Sequence, residues 1–161
     1  MKTAVFSLVL GLVAGTAVAQ PAPPPDGAWT AETPKDADAT LSYATAGGEQ
    51  LAMSCVRGSG QVTIRIGAAP EGFPWRVGST QPLPVSVGLI SGAAKATLRG
   101  QAALRSDGAE AMVSTEFSTR APVVEAFRKS GVLQVAAGPQ VIAAPAPAPK
   151  GTVGKFFRAC K

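Results

Sequence analysis

The sequence predicts a small, mainly β (α+β) domain: an antiparallel β-sandwich or partly open barrel that carries two short helices. Apolar residues alternate with polar or small ones in short runs, the period of a strand with one buried face. Glycine-containing turns separate these runs. Near the C-terminus the period changes, and Val153, Phe156, Phe157 and Cys160 recur at i, i+3, i+4 and i+7, the stripe of an amphipathic helix.

The domain is expected to span residues 29–161, starting at Trp29. Leu41, Tyr43 and Thr45 alternate with small or polar neighbours, Gly47-Gly48 makes a turn, and Leu51, Met53 and Cys55 alternate again, which is the pattern of a hairpin. Arg57-Gly58-Ser59-Gly60 forms a second turn. Val62, Ile64 and Ile66 then point inward while Thr63 and Arg65 point to water, completing a three-stranded meander. From residue 67 to 84, Pro70, Pro74, Pro82 and Pro84 exclude a central strand, and Phe73 and Trp75 suit a loop packed by its own aromatics. Strands are expected to resume at 85–89 and to recur at 94–99, 111–117 and 132–136, the last with Leu133 and Val135 on one side.

A first helix fits after the strand at 111–117. Ser118 or Thr119 would cap it, Pro122 lies near its start, and Gly131 stands just past its end. Val123, Val124 and Phe127 form its apolar face; Glu125, Arg128 and Lys129 face solvent. The Pro-Ala stretch at 143–149 reads as an extended surface connector. The second helix is expected over 152–160, capped by Thr152. Its stripe suits packing on the sheet, where Cys160 could meet Cys55, better than docking on a membrane or partner.

Upstream of the domain, Lys2, the apolar run at 4–13 and the small residues Ala17-Val18-Ala19 have the form of a secretory signal covering residues 1–19 and cleaved before Gln20. The run is shorter than the roughly 20 apolar residues of a membrane helix, and no cysteine follows it for lipid attachment. Residues 20–28 form a stiff, proline-rich lead to the domain. No later run is long enough to span a bilayer, so residues 20–161 are expected to hold one domain that is not membrane-spanning and is periplasmic or secreted.

Cys55 and Cys160 are the only cysteines, an even count in an exported chain, 105 residues apart. A disulfide follows from the compartment, and in the chain-entropy model a loop of that size is worth up to about 4.7 kcal/mol. A reactive thiol would need a histidine, a metal or a nearby second cysteine, and the chain contains no histidine.

Without histidine, Ser-His-Asp and Cys-His catalysis and nearly all zinc sites are excluded. No serine has lysine three residues on, which excludes the Ser-x-x-Lys arrangement, and Lys129-Ser130-Gly131 reads as a helix end with its stop glycine. Arg57-Gly58-Ser59-Gly60 lacks the helix and lysine of a phosphate loop. Glu32, Asp36 and Asp38 cluster, and Glu110 and Glu116 share a strand face; either set could supply a glycosidase acid pair but reads more simply as a solvated loop and a solvated strand face. No cofactor or metal site is expected. Of 15 basic and 10 acidic residues only Lys2 lies in the leader, so the mature chain keeps a net charge of +4, with Lys150, Lys155, Arg158 and Lys161 gathered at its end. Weak attraction to anionic envelope polymers or headgroups follows. Nucleic-acid binding does not, because stacking aromatics are not interleaved with the basic residues.

The layout of leader, Trp29, paired short strands carrying Cys55, a helix before residues 132–136 and a closing helix ending in Cys160 resembles small periplasmic β-rich proteins of the invasion-associated locus B type. That resemblance implies a non-enzymatic envelope or host-contact factor. The residues Ser91-Gly92-Ala93-Ala94-Lys95, lying between the two cysteines, also resemble the Ser-Gly loop with which periplasmic inhibitors of C-type lysozyme enter the lysozyme cleft, although the aromatic expected after that loop is missing. By itself Ser91-Gly92 reads as a hairpin turn.

The function expected from the sequence is therefore an exported, non-enzymatic binding or structural module whose partner is an envelope or extracellular protein or glycan. A lysozyme inhibitor acting through Ser91, Gly92 and Lys95 is the sharper alternative, and a small acid-pair glycan hydrolase a distant one.

Overall fold

Period-two alternation is realised along most of the domain. The computed structural model describes residues 27–75 and 81–161; the leader and the proline-rich segment up to residue 26 lie outside the described residues. In chain order the strands are β1 (Ala28–Glu32), β2 (Ala39–Thr45), β3 (Gly48–Cys55), β4 (Gln61–Ala68), β5 (Leu83–Ser91), β6 (Ala94–Leu104), β7 (Ala111–Ser118), β8 (Gln134–Ala137) and β9 (Gln140–Ala143). The helices are α1 (Pro122–Ser130), between β7 and β8, and α2 (Lys150–Ala159) after β9. All nine strands join one antiparallel sheet in the order β1-β2-β3-β4-β7-β6-β5-β8-β9, curled into a half-barrel. This is the partly open barrel of the two expected arrangements.

The expected meander is β2–β3–β4, with Leu41 opposite Met53 and Met53 opposite Ile64. Two strands were not anticipated. β1 is short and half-exposed, and β9 carries only four residues, so neither offers a long alternating run. Pro84 lies inside β5, within the stretch from which the prolines seemed to exclude a strand. It is tolerated because β8 reaches only Val87 to Ile90 of β5, leaving one side of Pro84 without a strand neighbour that would need its missing N–H.

Each helix starts differently from its expected cap. α1 has no side-chain cap; Pro122 fixes its first turn, and the N-cap position is Ala121. Ser118 Oγ instead accepts from Arg120 N–H, and Thr119 N–H donates to the Gly60 carbonyl, so both candidate capping residues are engaged elsewhere. α2 begins two residues before Thr152, at Lys150, with Pro149 as its uncapped N-cap. Gly131 closes α1 as expected, in the left-handed conformation at φ 73°. A Cβ there would lie 2.3 Å from the Ala148 carbonyl oxygen, so the position excludes every larger residue. That close approach is what brings the 143–149 connector over the end of α1, where Ala148 N–H donates to the Gly131 carbonyl.

Both helices fill the hollow of the sheet. Val123, Val124 and Phe127 of α1 and Val153, Phe156 and Phe157 of α2 are buried against it. Aromatic rings form a column across it: Tyr43 to Trp29 at 5.4 Å, Trp29 to Phe127 at 6.0 Å, Phe127 to Phe157 at 6.3 Å and Phe157 to Phe156 at 5.0 Å. In a chain with only 6% aromatic residues, their concentration in one column gives the core its bulk. Trp29 Nε1 also donates to the Ala146 carbonyl, anchoring the connector.

Two tethers hold the curl. Cys55 at the end of β3 is bonded to Cys160 at the end of α2, with Cα atoms 5.7 Å apart. At the opposite rim the Gln140 carboxamide pairs with the backbone of Ala69, accepting its N–H at 3.0 Å and donating to its carbonyl at 2.8 Å. The side chain thus acts as a strand residue would, drawing the β8–β9 hairpin toward the end of β4. There a single 3-10 turn, Pro70–Gly72, leads to Phe73 and Trp75, whose rings lie 5.8 Å apart as the expected aromatic-packed loop.

Replacing Cys55 and Cys160 together by alanine is expected to cost about 3 kcal/mol and lower Tm by about 10–15 °C. An unchanged melting curve, oxidised against double variant, would refute the staple's contribution. Gln140→Ala is expected to lose about 1–2 kcal/mol in urea unfolding with an unchanged m-value, because two backbone groups lose their partner without loss of core.

Candidate functional site

The residues singled out from the sequence separate into buried and exposed sets. Ser91 ends β5 and is 1% exposed. Its Oγ donates to the Val132 carbonyl at 2.8 Å and lies 3.2 Å from Ser130 Oγ, so it ties β5 to the end of α1. A partner approaching this hairpin would meet Gly92, Ala93 and Lys95, which are exposed, and not Ser91. Gly92, at φ 58°, forms the turn between β5 and β6 with Ala93, the hairpin that Ser91-Gly92 suggested.

The carboxylates do not converge. Glu110 precedes β7 and pairs with Arg105 at 3.0 Å, while Glu116 lies six residues on along the outer face, roughly 20 Å away at strand rise. Glu32 ends β1, and Asp36 and Asp38 lie in the exposed turn before β2. Among the described residues no group of three or more His, Cys, Asp or Glu could hold a metal ion.

The Arg57-Gly58-Ser59-Gly60 turn has a different use. Gly58 N–H donates to the Ala159 carbonyl at 3.0 Å, Gly60 N–H to the Cys160 carbonyl at 2.7 Å, and Ser59 N–H to the Val56 carbonyl. The last carbonyls of a helix lack intrahelical partners, and this turn supplies them for α2. Its left-handed glycines, at φ 72° and 70°, set the two N–H groups for that task. These amides are committed to protein carbonyls and leave nothing to cradle a phosphate.

Beside this junction opens a cleft of about 740 Å³. The β3–β4 turn forms one wall, residues 118–121 and the start of α1 form another, and Arg120, Arg128 and Lys161 bring positive charge to it. Ser59, Gln61 and Ser118 add polar groups to its lining. A second cleft, about 420 Å³, follows the seam between the helices and is lined by Glu125, Arg128, Lys129, Lys150, Gly154 and Arg158. Arg128 and Glu125 line both, so the two clefts adjoin. Gly154 lies under the Arg158 guanidinium, 3.3 Å from where a Cβ would stand, which keeps the seam open.

Charge on this face is lopsided. Between Ser118 and Lys161 the sequence carries seven basic residues and one acidic residue, whereas residues 27–117 carry seven basic and eight acidic. The single acid, Glu125, accepts a 2.6 Å hydrogen bond from Lys129. That bond, and then the Lys129 charge, hold its carboxyl below the usual range, keeping it ionised and occupied. The other cations on α1 and α2 have no carboxylate within ion-pair distance among the described residues. In the sequence the four cations at the chain end form one group and those of α1 read as a separate solvent face. The count after residue 118 was the available signal, and the packing of the two helices is what joins them.

Ser91→Ala is expected to cost about 1 kcal/mol of stability, read by urea unfolding, from loss of the buried bond to Val132. A variant of unchanged stability would show that the hydroxyl does not serve the fold.

The chain matches no protein-family model, no curated protein and no solved structure.

Proposed function

We propose that this protein is exported to the periplasm or beyond the cell and serves there as a non-catalytic binding module. The observation that carries the reading is the cleft beside Cys55–Cys160, where segments far apart in sequence meet around a concave, polar, positively charged wall. Recognition sites are typically such preformed concavities with a few placed polar groups. The disulfide, the leader-like N-terminus and the absence of histidine support export and binding over turnover. No helix among the described residues is long and apolar enough to cross a membrane.

Export is tested by mass spectrometry of the protein recovered from a fractionated expressing cell, which is expected to begin at Gln20 in the envelope or medium; a chain that begins at Met1 and stays in the cytoplasm would overturn it. The cleft is tested by capture from an envelope extract on the immobilised oxidised domain. Ser59→Trp, which places a large ring on the cleft wall, is expected to abolish capture while leaving Tm unchanged. Equal capture by that variant overturns the cleft as the site. Elution of a cleaved or chemically altered partner overturns the non-catalytic reading.

A further inference from the structure

We propose that the basic face of α1 and α2 binds an acidic polysaccharide, whose carboxylates seat in the two clefts that meet at Arg128. This deepens the binding-module reading and rests on it. Charge is the first argument: the face carries nearly all of the chain's unbalanced positive charge, and its one acid is already paired with Lys129. Concentrated charge of one sign lined by a low-dielectric cleft focuses attraction on an oppositely charged ligand. Arginine guanidinium groups suit carboxylates because their planar fork can meet both oxygens at once.

Shape selects the polymer. The two clefts adjoin at Arg128, and together they extend from the β3–β4 turn to the α1–α2 seam, farther than a single anionic group needs. The first cleft also presents the Gln61 side chain, which matches the hydroxyls of a sugar chain, beside the Ser59 and Ser118 hydroxyls that hold their own turns. A bilayer is less well suited: the helix aromatics Phe127, Phe156 and Phe157 are at most 1% exposed, so none is free to enter the headgroup boundary. Those same burials leave no ring in either cleft for nucleic-acid bases to stack on.

The test is calorimetric titration of the mature, oxidised protein with polygalacturonate at low and moderate salt. Binding is expected at low salt and is expected to weaken as salt rises. Arg128→Gln with Arg158→Gln is expected to weaken it about tenfold, whereas Arg65→Gln with Arg99→Gln, removing equal charge from the outer sheet face, changes it less than about twofold. Near-UV circular dichroism verifies the fold, and Arg120→Gln with Lys150→Gln, both at exposed positions and one in each cleft, provides an independent pair with the same expected direction. Equal loss in the helix and sheet variants overturns the assignment, since net charge alone would then explain binding. So does equal binding of neutral dextran, or tighter binding of anionic phospholipid vesicles or single-stranded DNA. No binding to polygalacturonate, with capture from the envelope extract intact, overturns the polysaccharide assignment alone; loss of both overturns the binding-module reading as well.

Discussion

A curled sheet has an apolar hollow that must be filled, and here the filling comes from the last ten-residue helix together with α1. Val153, Phe156 and Phe157 are fully buried in that hollow, and the aromatic column from Tyr43 to Phe156 passes through both helices and both edge-side strands β1 and β2. Burial of such side chains is worth about 1.5–3 kcal/mol each, so α2 is a main source of stability. Its position then determines the rest. The end of α2 requires partners for its terminal carbonyls, the β3–β4 turn supplies them, and the disulfide joins the same two elements. The Gly60 carbonyl in turn engages Thr119, which sets where α1 begins and where the cleft opens.

Much of this was legible in the sequence. The meander, the closing stripe and the stop at Gly131 follow from residue spacing, because each depends on a local period or a single special conformation, whereas the disulfide follows from two lone cysteines behind a leader-like start. The misreadings have a shared cause. Ser118, Thr119 and Thr152 have the chemistry of caps, but capping competes with tertiary partners, and Pro122 and Pro149 start the helices without them. β1 and β9 lie at the two edges and exist mainly through their neighbours, so their own few residues carry little signal. Ser91 stood out as part of a short motif, yet its hydroxyl serves a carbonyl that only the folded chain places beside it.

The candidate site was harder to foresee because it is assembled from separate segments. Arg120 and Arg128 belong to one helix and its approach, Lys150 and Arg158 to another, and residues 131–149, strand and connector, separate the two helices. Packing of the two helices in the hollow, with Phe127 against Phe157, brings their solvent faces together. Among the described residues every acid but Glu125 lies on the sheet portion of the molecule, so the fold sorts charge as well as apolarity. One pole attracts anions while the remainder is close to balanced, a distribution that favours an oriented encounter over indiscriminate adhesion.

The dependence of the hollow on α2 has a consequence for synthesis. A chain emerging from its N-terminus makes β1 to β9 before the element that covers them, and β4 must wait for β7, made some forty residues later, to gain its second neighbour. The native contacts are therefore long in sequence and slow to close. Until the final helix is released, the growing chain presents an uncovered apolar surface and open strand edges, the features that promote self-association. Covering of the hollow therefore waits on α2 and not on the first strands.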